Sequence, residues 1–161
     1  MKTQKIIREA LDTLHESDRL FNKGNYEASV ESYKKALQLL ESLPAEVQFD
    51  RAAFEASCQS GLSATYGRLG RHLESFAAAN KALLYYDKCG EENPLQTGRW
   101  LKALVNQGVS LAALGVCGEA LNSLQRAKDL FVCKGLNTFQ NKPWLDFYNS
   151  SCWLVHQGRT R

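Results

Sequence analysis

The thiols of this sequence are Cys58, Cys89, Cys117, Cys133 and Cys152. A zinc site or a disulfide framework draws on clustered or paired cysteines, whereas this set is odd in number and contains no C-x-x-C pair. The spacing predicts small, mostly buried thiols in a reducing cytosol. The histidines, His15, His72 and His156, fall on different helical stretches or their ends. None has a Cys, Asp or Glu at metal-ligand spacing on the same helical face. His15 and Asp18 stand three residues apart, which on a helix is a surface contact. The chain carries no G-x-S-x-G, no G-x-x-x-x-G-K-[ST] and no H-E-x-x-H. Nucleophile, base and orienter are nowhere assembled, so the expectation is a protein that is not an enzyme and uses no metal and no cofactor.

What remains is binding, and the composition narrows it. Of 161 residues, 44% are hydrophobic and 23% charged, an ordinary folded composition. The net charge of +3 is small, and both signs are interleaved along the chain. This argues against nucleic acid and against an anionic membrane surface. No apolar run approaches the ~20 residues that span a bilayer, so no membrane insertion is expected. The opening Met1–Glu9 is basic but leads into acidic residues rather than an apolar stretch, unlike a secretory signal. A cytoplasmic location follows as an expectation.

The elements that would position a binding surface are marked by glycine and proline. Gly24, Gly70, Gly115 and Gly158 are spaced 46, 45 and 43 residues apart, each after a long amphipathic stretch. At such places glycine lets a helix end in a left-handed turn. Pro44, Pro94 and Pro143 alternate with them, and Asn93-Pro94 reads as a helix cap followed by proline at the first helical position. Between these marks the period is helical. Tyr26, Val30, Tyr33, Leu37 and Leu40 form one face after Gly24; Leu73, Phe76, Ala79, Leu83 and Leu84 form it after Gly70; Ala120, Leu121, Leu124, Ala127 and Phe131 form it after Gly115. The pattern predicts helices near 2–22, 26–42, 45–69, 72–89, 94–114, 117–134 and 143–157, an all-α chain of repeated helix–turn–helix units.

The run Gly24-Asn25-Tyr26-Glu27-Ala28-Ser29-Val30-Glu31-Ser32-Tyr33-Lys34-Lys35-Ala36-Leu37 resembles the second-helix signature of tetratricopeptide repeats (TPRs). Ser29, Tyr33 and Ala36 hold its small, aromatic and alanine places; Ser75, Ala79 and Ala82, then Ala120, Leu124 and Ala127, follow in phase. The first-helix signature is best kept at Leu62-Ser63 and Tyr66, and is weaker at Gln107-Gly108 and Leu111 and at Glu16-Ser17 and Leu20. The small residues allow the helices of a hairpin to approach, and the large ones fill the space beside them. The standard unit is about 34 residues, but here the period is about 45. The excess lies near 41–58 and 86–103, which are helix-compatible, so longer helices are expected. This is similar to the extended-repeat subclass seen in kinesin light chain and spindle-orientation adaptors.

The resemblance implies a right-handed α-α superhelix, a TPR-like solenoid of three helical hairpins plus a C-terminal helix. The repeats are about 2–42, 45–89 and 94–134 in a single domain. The segment 143–157, whose Trp144-Leu145 lies 44 residues after Trp100-Leu101, is a capping helix or the first half of a fourth repeat. Its apolar residues would suit self-association. The same resemblance puts the first helices on a concave face. It would offer His15, Asp18, Phe21 and Asn22 from the first repeat, Ser57, Ser60, Gly61, Ala64 and Arg68 from the second, and Lys102, Val105, Asn106 and Val109 from the third. Gly61 and Gly67 then suit the close approach of either a ligand or a neighbouring helix, and Asn106 a peptide backbone. Arg68 and Lys102 favour an acidic or C-terminal carboxylate partner. Repeats that clamp chaperone C-termini need Lys, Asn, Asn, Lys and Arg where this chain has Leu14, Asp18, Gly61, Lys102 and Asn106. Only Lys102 matches, so a chaperone C-terminal carboxylate clamp is not expected. The function implied is an adaptor or scaffold holding a peptide or helix of a protein partner. The alternatives are a structural fragment of a larger repeat protein, making intramolecular or self-assembly contacts, and a regulatory domain fused to an enzyme.

Overall fold

The computed structural model describes residues 2–135 and, within the last segment, Asp146, Asn149, Cys152 and Trp153. Those four are helical; the rest of the expected helix 143–157, with Gly158, lies outside the described residues. The chain runs through α1 (Lys2–Asn22), α2 (Tyr26–Glu41), α3 (Arg51–Arg68), α4 (His72–Cys89), α5 (Thr97–Ala113) and α6 (Cys117–Cys133). Two 3-10 turns, Gly90–Glu92 and Pro94–Gln96, lie between α4 and α5. The described residues contain no strand. Sequential helices pack pairwise, and α3 also packs on α5, which is the arrangement of a helical solenoid.

The three hairpins turn in the same way. Gly24, Gly70 and Gly115 have φ of 80°, 74° and 86°, and a side chain there would meet no neighbour, so backbone conformation, not space, selects glycine. At each turn the glycine N–H donates three residues back, to Phe21, Gly67 and Ala112. The next N–H donates five residues back, to Leu20, Tyr66 and Leu111. This is the paired hydrogen bonding that satisfies the orphan carbonyls of a helix end. Gly135, with φ of 66°, ends α6 likewise.

Where paired helices cross, the small residues are fully buried. Ser29 Oγ donates to the Ser17 carbonyl at 2.9 Å, and one repeat later Ser75 Oγ donates to the Ser63 carbonyl at 2.7 Å. In the third hairpin Gly108 and Ala120 replace both serines, and a Cβ on Gly108 would lie 2.8 Å from Leu124. Two apolar clusters result, one around Val30, Tyr33, Phe54 and Leu62, the other around Tyr86, Leu101, Leu104 and Leu124.

The extra length per repeat is shared between helices and linkers: α3 and α4, at 18 residues each, already exceed a whole standard unit of about 34 residues, as longer helices require, but the helices expected from 45 and 94 start only at Arg51 and Thr97. α3 starts at Arg51 because Asp50 caps it, accepting from the Ala53 N–H at 3.1 Å. The Arg51 guanidinium turns back onto the carbonyls of Leu40 (3.1 Å), Leu43 (2.8 Å) and Pro44, satisfying the end of α2. Asn93-Pro94 does open a helical turn, but a 3-10 one that the Asn93 side chain does not cap, its amide donating instead to the Tyr85 hydroxyl; α5 begins three residues after Pro94.

Gly61 is packed inside the solenoid, not open to a groove. A Cβ there would stand 2.2 Å from the Tyr33 ring. Gly61→Ala is therefore expected to destabilise by about 1–3 kcal/mol through overpacking. Gly118→Ala, in α6 with nothing nearby, should be neutral or stabilise by up to about 1 kcal/mol. Urea melts of both variants check this; equal effects would contradict the packing.

Candidate functional site

A cleft of about 260 Å³ opens between the C-terminal half of α1 and the start of α5. Asp18, Phe21 and Asn22 project from one face of α1, at the three- and four-residue spacing that stacks side chains on a helix. Opposite them stand Leu95 on the second 3-10 turn and Gly98, Arg99 and Lys102 on α5.

The floor of the cleft is a polar network that reaches every repeat. Arg99 Nη2 donates to Asp18 Oδ2 at 2.6 Å across 81 residues of sequence. Arg99 Nη1 lies 3.4 Å from both Asp18 Oδ1 and the Ser57 carbonyl of α3. The Tyr33 hydroxyl of α2 donates to Asp18 Oδ1, and Ser60 Oγ donates to the Arg99 carbonyl at 2.6 Å. The Asp18 and Arg99 side chains are 27% and 23% exposed, so the pair is largely withdrawn from water. Burial, reinforced by the Asp18 charge, pushes the Tyr33 phenol above its ordinary range and keeps it a donor.

Within the cleft lining, Lys102 is the cation that forms no ion pair. It is half-buried, its Nζ sits 5.0 Å from the centroid of the Phe21 ring, and among the described residues it has no ion-pair partner. Burial, then repulsion from Arg99, lowers its pKa to about 8. The ring face returns part of the lost hydration. Among the charged residues lining the cleft, Arg99 and Lys102 face the single carboxylate of Asp18, so the lining carries excess positive charge.

The expected concave-face residues separate into two groups. Asp18, Phe21, Asn22 and Lys102 meet in the cleft, and His15 and Arg68 are exposed. Ser57, Ser60, Gly61, Ala64, Val105 and Asn106 are buried between helices, and Val109 is half-buried against the second cluster. For these the close approach is to the chain's own neighbours. Asn106 Nδ2 donates to the Lys102 carbonyl at 2.8 Å, and its Oδ1 fills the space beside Gly67, so its amide is not offered outward. Arg99 and Leu95 escaped the sequence reading. The available signal was Arg99's position one turn before Lys102, on the same helical face.

Elsewhere the chemistry is quiet. Among the described residues no three His, Cys, Asp or Glu side chains gather where a metal could be held. The cysteines are free, and burial pushes the Cys58 thiol up to about 12. No helix of the described residues is long and apolar enough to cross a membrane.

A family model described as Domain of Unknown Function (DUF3856) matches residues 2–138. The chain belongs to that family. No curated protein matches it. The fold of this DUF3856 member is similar to a TPR-like protein from Chlorobium tepidum TLS, at 24% identity, a TM-score of 0.88 and 98% coverage of both chains. It is also similar to the C-terminal TPR-containing domain of an FK506-binding protein from Plasmodium falciparum, at 21% identity and a TM-score of 0.66, covering 99% of this chain and 96% of that one. At these identities the likeness establishes the fold, a TPR-like solenoid.

Two substitutions test the electrostatics. Arg99→Met strands a partly buried carboxylate and should destabilise by about 1–3 kcal/mol, with the Asp18→Asn/Arg99→Met double variant losing less than the sum of the singles. Lys102→Met removes a desolvated charge and should stabilise by roughly 1–2 kcal/mol at pH 7. The unfolded lysine holds its proton to about pH 10.5, while the folded one releases it near 8. The Lys102 contribution therefore becomes more favourable to folding between those values, and the advantage of the variant should shrink there. Urea melts at pH 7 and pH 10 measure both effects.

Proposed function

We propose that this chain is a protein-interaction module, not an enzyme, which holds an acidic segment of a partner protein in the cleft between α1 and α5. The observation that carries this reading is Lys102, an ammonium half-buried beside Phe21 with no ion-pair partner among the described residues, the nearby Asp18 being bonded to Arg99. An uncompensated charge at a partly desolvated site costs stability. A carboxylate from a partner would restore the missing interaction. The TPR-like fold supports a protein partner, since its helical hairpins present an extended surface of this kind.

A chaperone C-terminal tail is not the partner proposed. Of the five places such a clamp uses, Leu14 and Gly61 are buried, Asn106 is bonded to the Lys102 carbonyl, and Asp18 is held by Arg99. Lys102 is the one that can present a cation.

Binding should follow the protonation of Lys102. The charged lysine is the competent form, so affinity for an acidic peptide should be level below about pH 7 and fall as pH rises through 8. Lys102→Met should weaken binding by about 1–3 kcal/mol at pH 7 and abolish that pH dependence. Fluorescence anisotropy with an Asp/Glu-rich peptide and its Asn/Gln counterpart measures this. Equal binding of the two peptides, or undiminished binding by the variant, would refute the proposal.

A further inference from the structure

The residues that lengthen the repeat between α4 and α5 carry a side chain the acidic-cleft reading does not use. Leu95, on the Pro94–Gln96 turn, is 96% exposed and forms the rim of the cleft opposite Phe21. Single exposed leucines are common on protein surfaces and by themselves indicate nothing. This one differs in how firmly its turn is held. Tyr86 Oη donates to Gln96 Oε1 at 2.8 Å, Asn93 Nδ2 donates to the Tyr85 hydroxyl at 3.3 Å, and Thr97 Oγ1 donates to the Pro94 carbonyl at 2.9 Å. Pro94 restricts the backbone further. At the base, Gly90 lies beneath the Trp100 indole so closely that a Cβ would stand 2.4 Å from the ring. An apolar side chain is thus fixed in water at the mouth of a cationic cleft, with little conformational freedom left for its turn to lose on binding.

We propose that Leu95 is a specificity element, and that the partner segment places an apolar side chain against Leu95 and Phe21 within three residues of the carboxylate that meets Lys102. This rests on the acidic-cleft reading. Leu95, on the 3-10 turn, precedes Lys102 of α5 by seven residues, a span of roughly 10–12 Å at rises of about 2.0 Å in the turn and 1.5 Å in the helix. An extended peptide covers that span in about three residues at 3.3 Å each. The partner chemistry is therefore mixed, a leucine-like residue beside an aspartate or glutamate, and a purely acidic run would engage only half of the cleft.

The test uses labelled decapeptide pools with two fixed positions one to three residues apart, Leu/Asp, Ser/Asp, Leu/Asn and Ser/Asn, bound to the wild-type chain and to Leu95→Ser. The wild type should bind the Leu/Asp pool at least about fivefold tighter than Ser/Asp. Leu95→Ser should bring the two to the same affinity while both still exceed the Asn pools. If the wild type ranks Asp above Asn but treats Leu and Ser alike, or if Leu95→Ser retains the Leu preference, the role of Leu95 is overturned and the acidic cleft stands. If Asp and Asn pools bind equally to the wild type, the acidic-cleft reading fails and this inference fails with it.

Discussion

Tyr33 lies with no exposed surface over Gly61, and its hydroxyl meets the carboxylate that Arg99 reaches from two repeats away. Packing and electrostatics are inseparable at this point. The ring can lie where it does because residue 61 has no side chain, and only from there can the phenol orient Asp18. Asp18 so placed accepts the guanidinium, whose second nitrogen also faces the Ser57 carbonyl. Four helices are thereby registered against one another at the floor of the cleft. A hydrogen-bonded ion pair withdrawn from water is a directional constraint: it favours one relative placement of its helices and penalises others.

That constraint also decides which charge is left over. Arg99 is engaged by Asp18, so Lys102, one turn further along α5, has an aromatic ring for company and no anion. Folding bears the cost of its desolvation, and the Phe21 ring and the more distant Asp18 charge return only part of it. Stability and binding make opposite demands here. The apolar variant expected to fold more firmly is the one expected to lose the partner, a common opposition at binding sites.

The repeat length has a related consequence. The residues beyond a standard unit lengthen the helices and build two linkers: one anchored by Arg51 on the carbonyls ending α2, the other by Trp100 over Gly90 and by tyrosine hydroxyls. The second linker brings Leu95 to the cleft.

The helices, the left-handed glycine turns and the small residues at the crossings are legible in the residues alone, because each depends on near neighbours: a 3.6-residue period, a φ only glycine adopts readily, a bond five residues back. The linker at 44–50 was legible only in part. Its composition suits a helix, and what stops one is the Asp50 cap together with Arg51's long reach to α2. Only the tertiary structure decided whether Gly61, Ser60 and Asn106 faced a ligand or a neighbouring helix, and that Asp18 belongs to Arg99. Helical periodicity says which residues share a face. Which partner that face meets is set by packing between segments as much as 81 residues apart, and no local pattern records it.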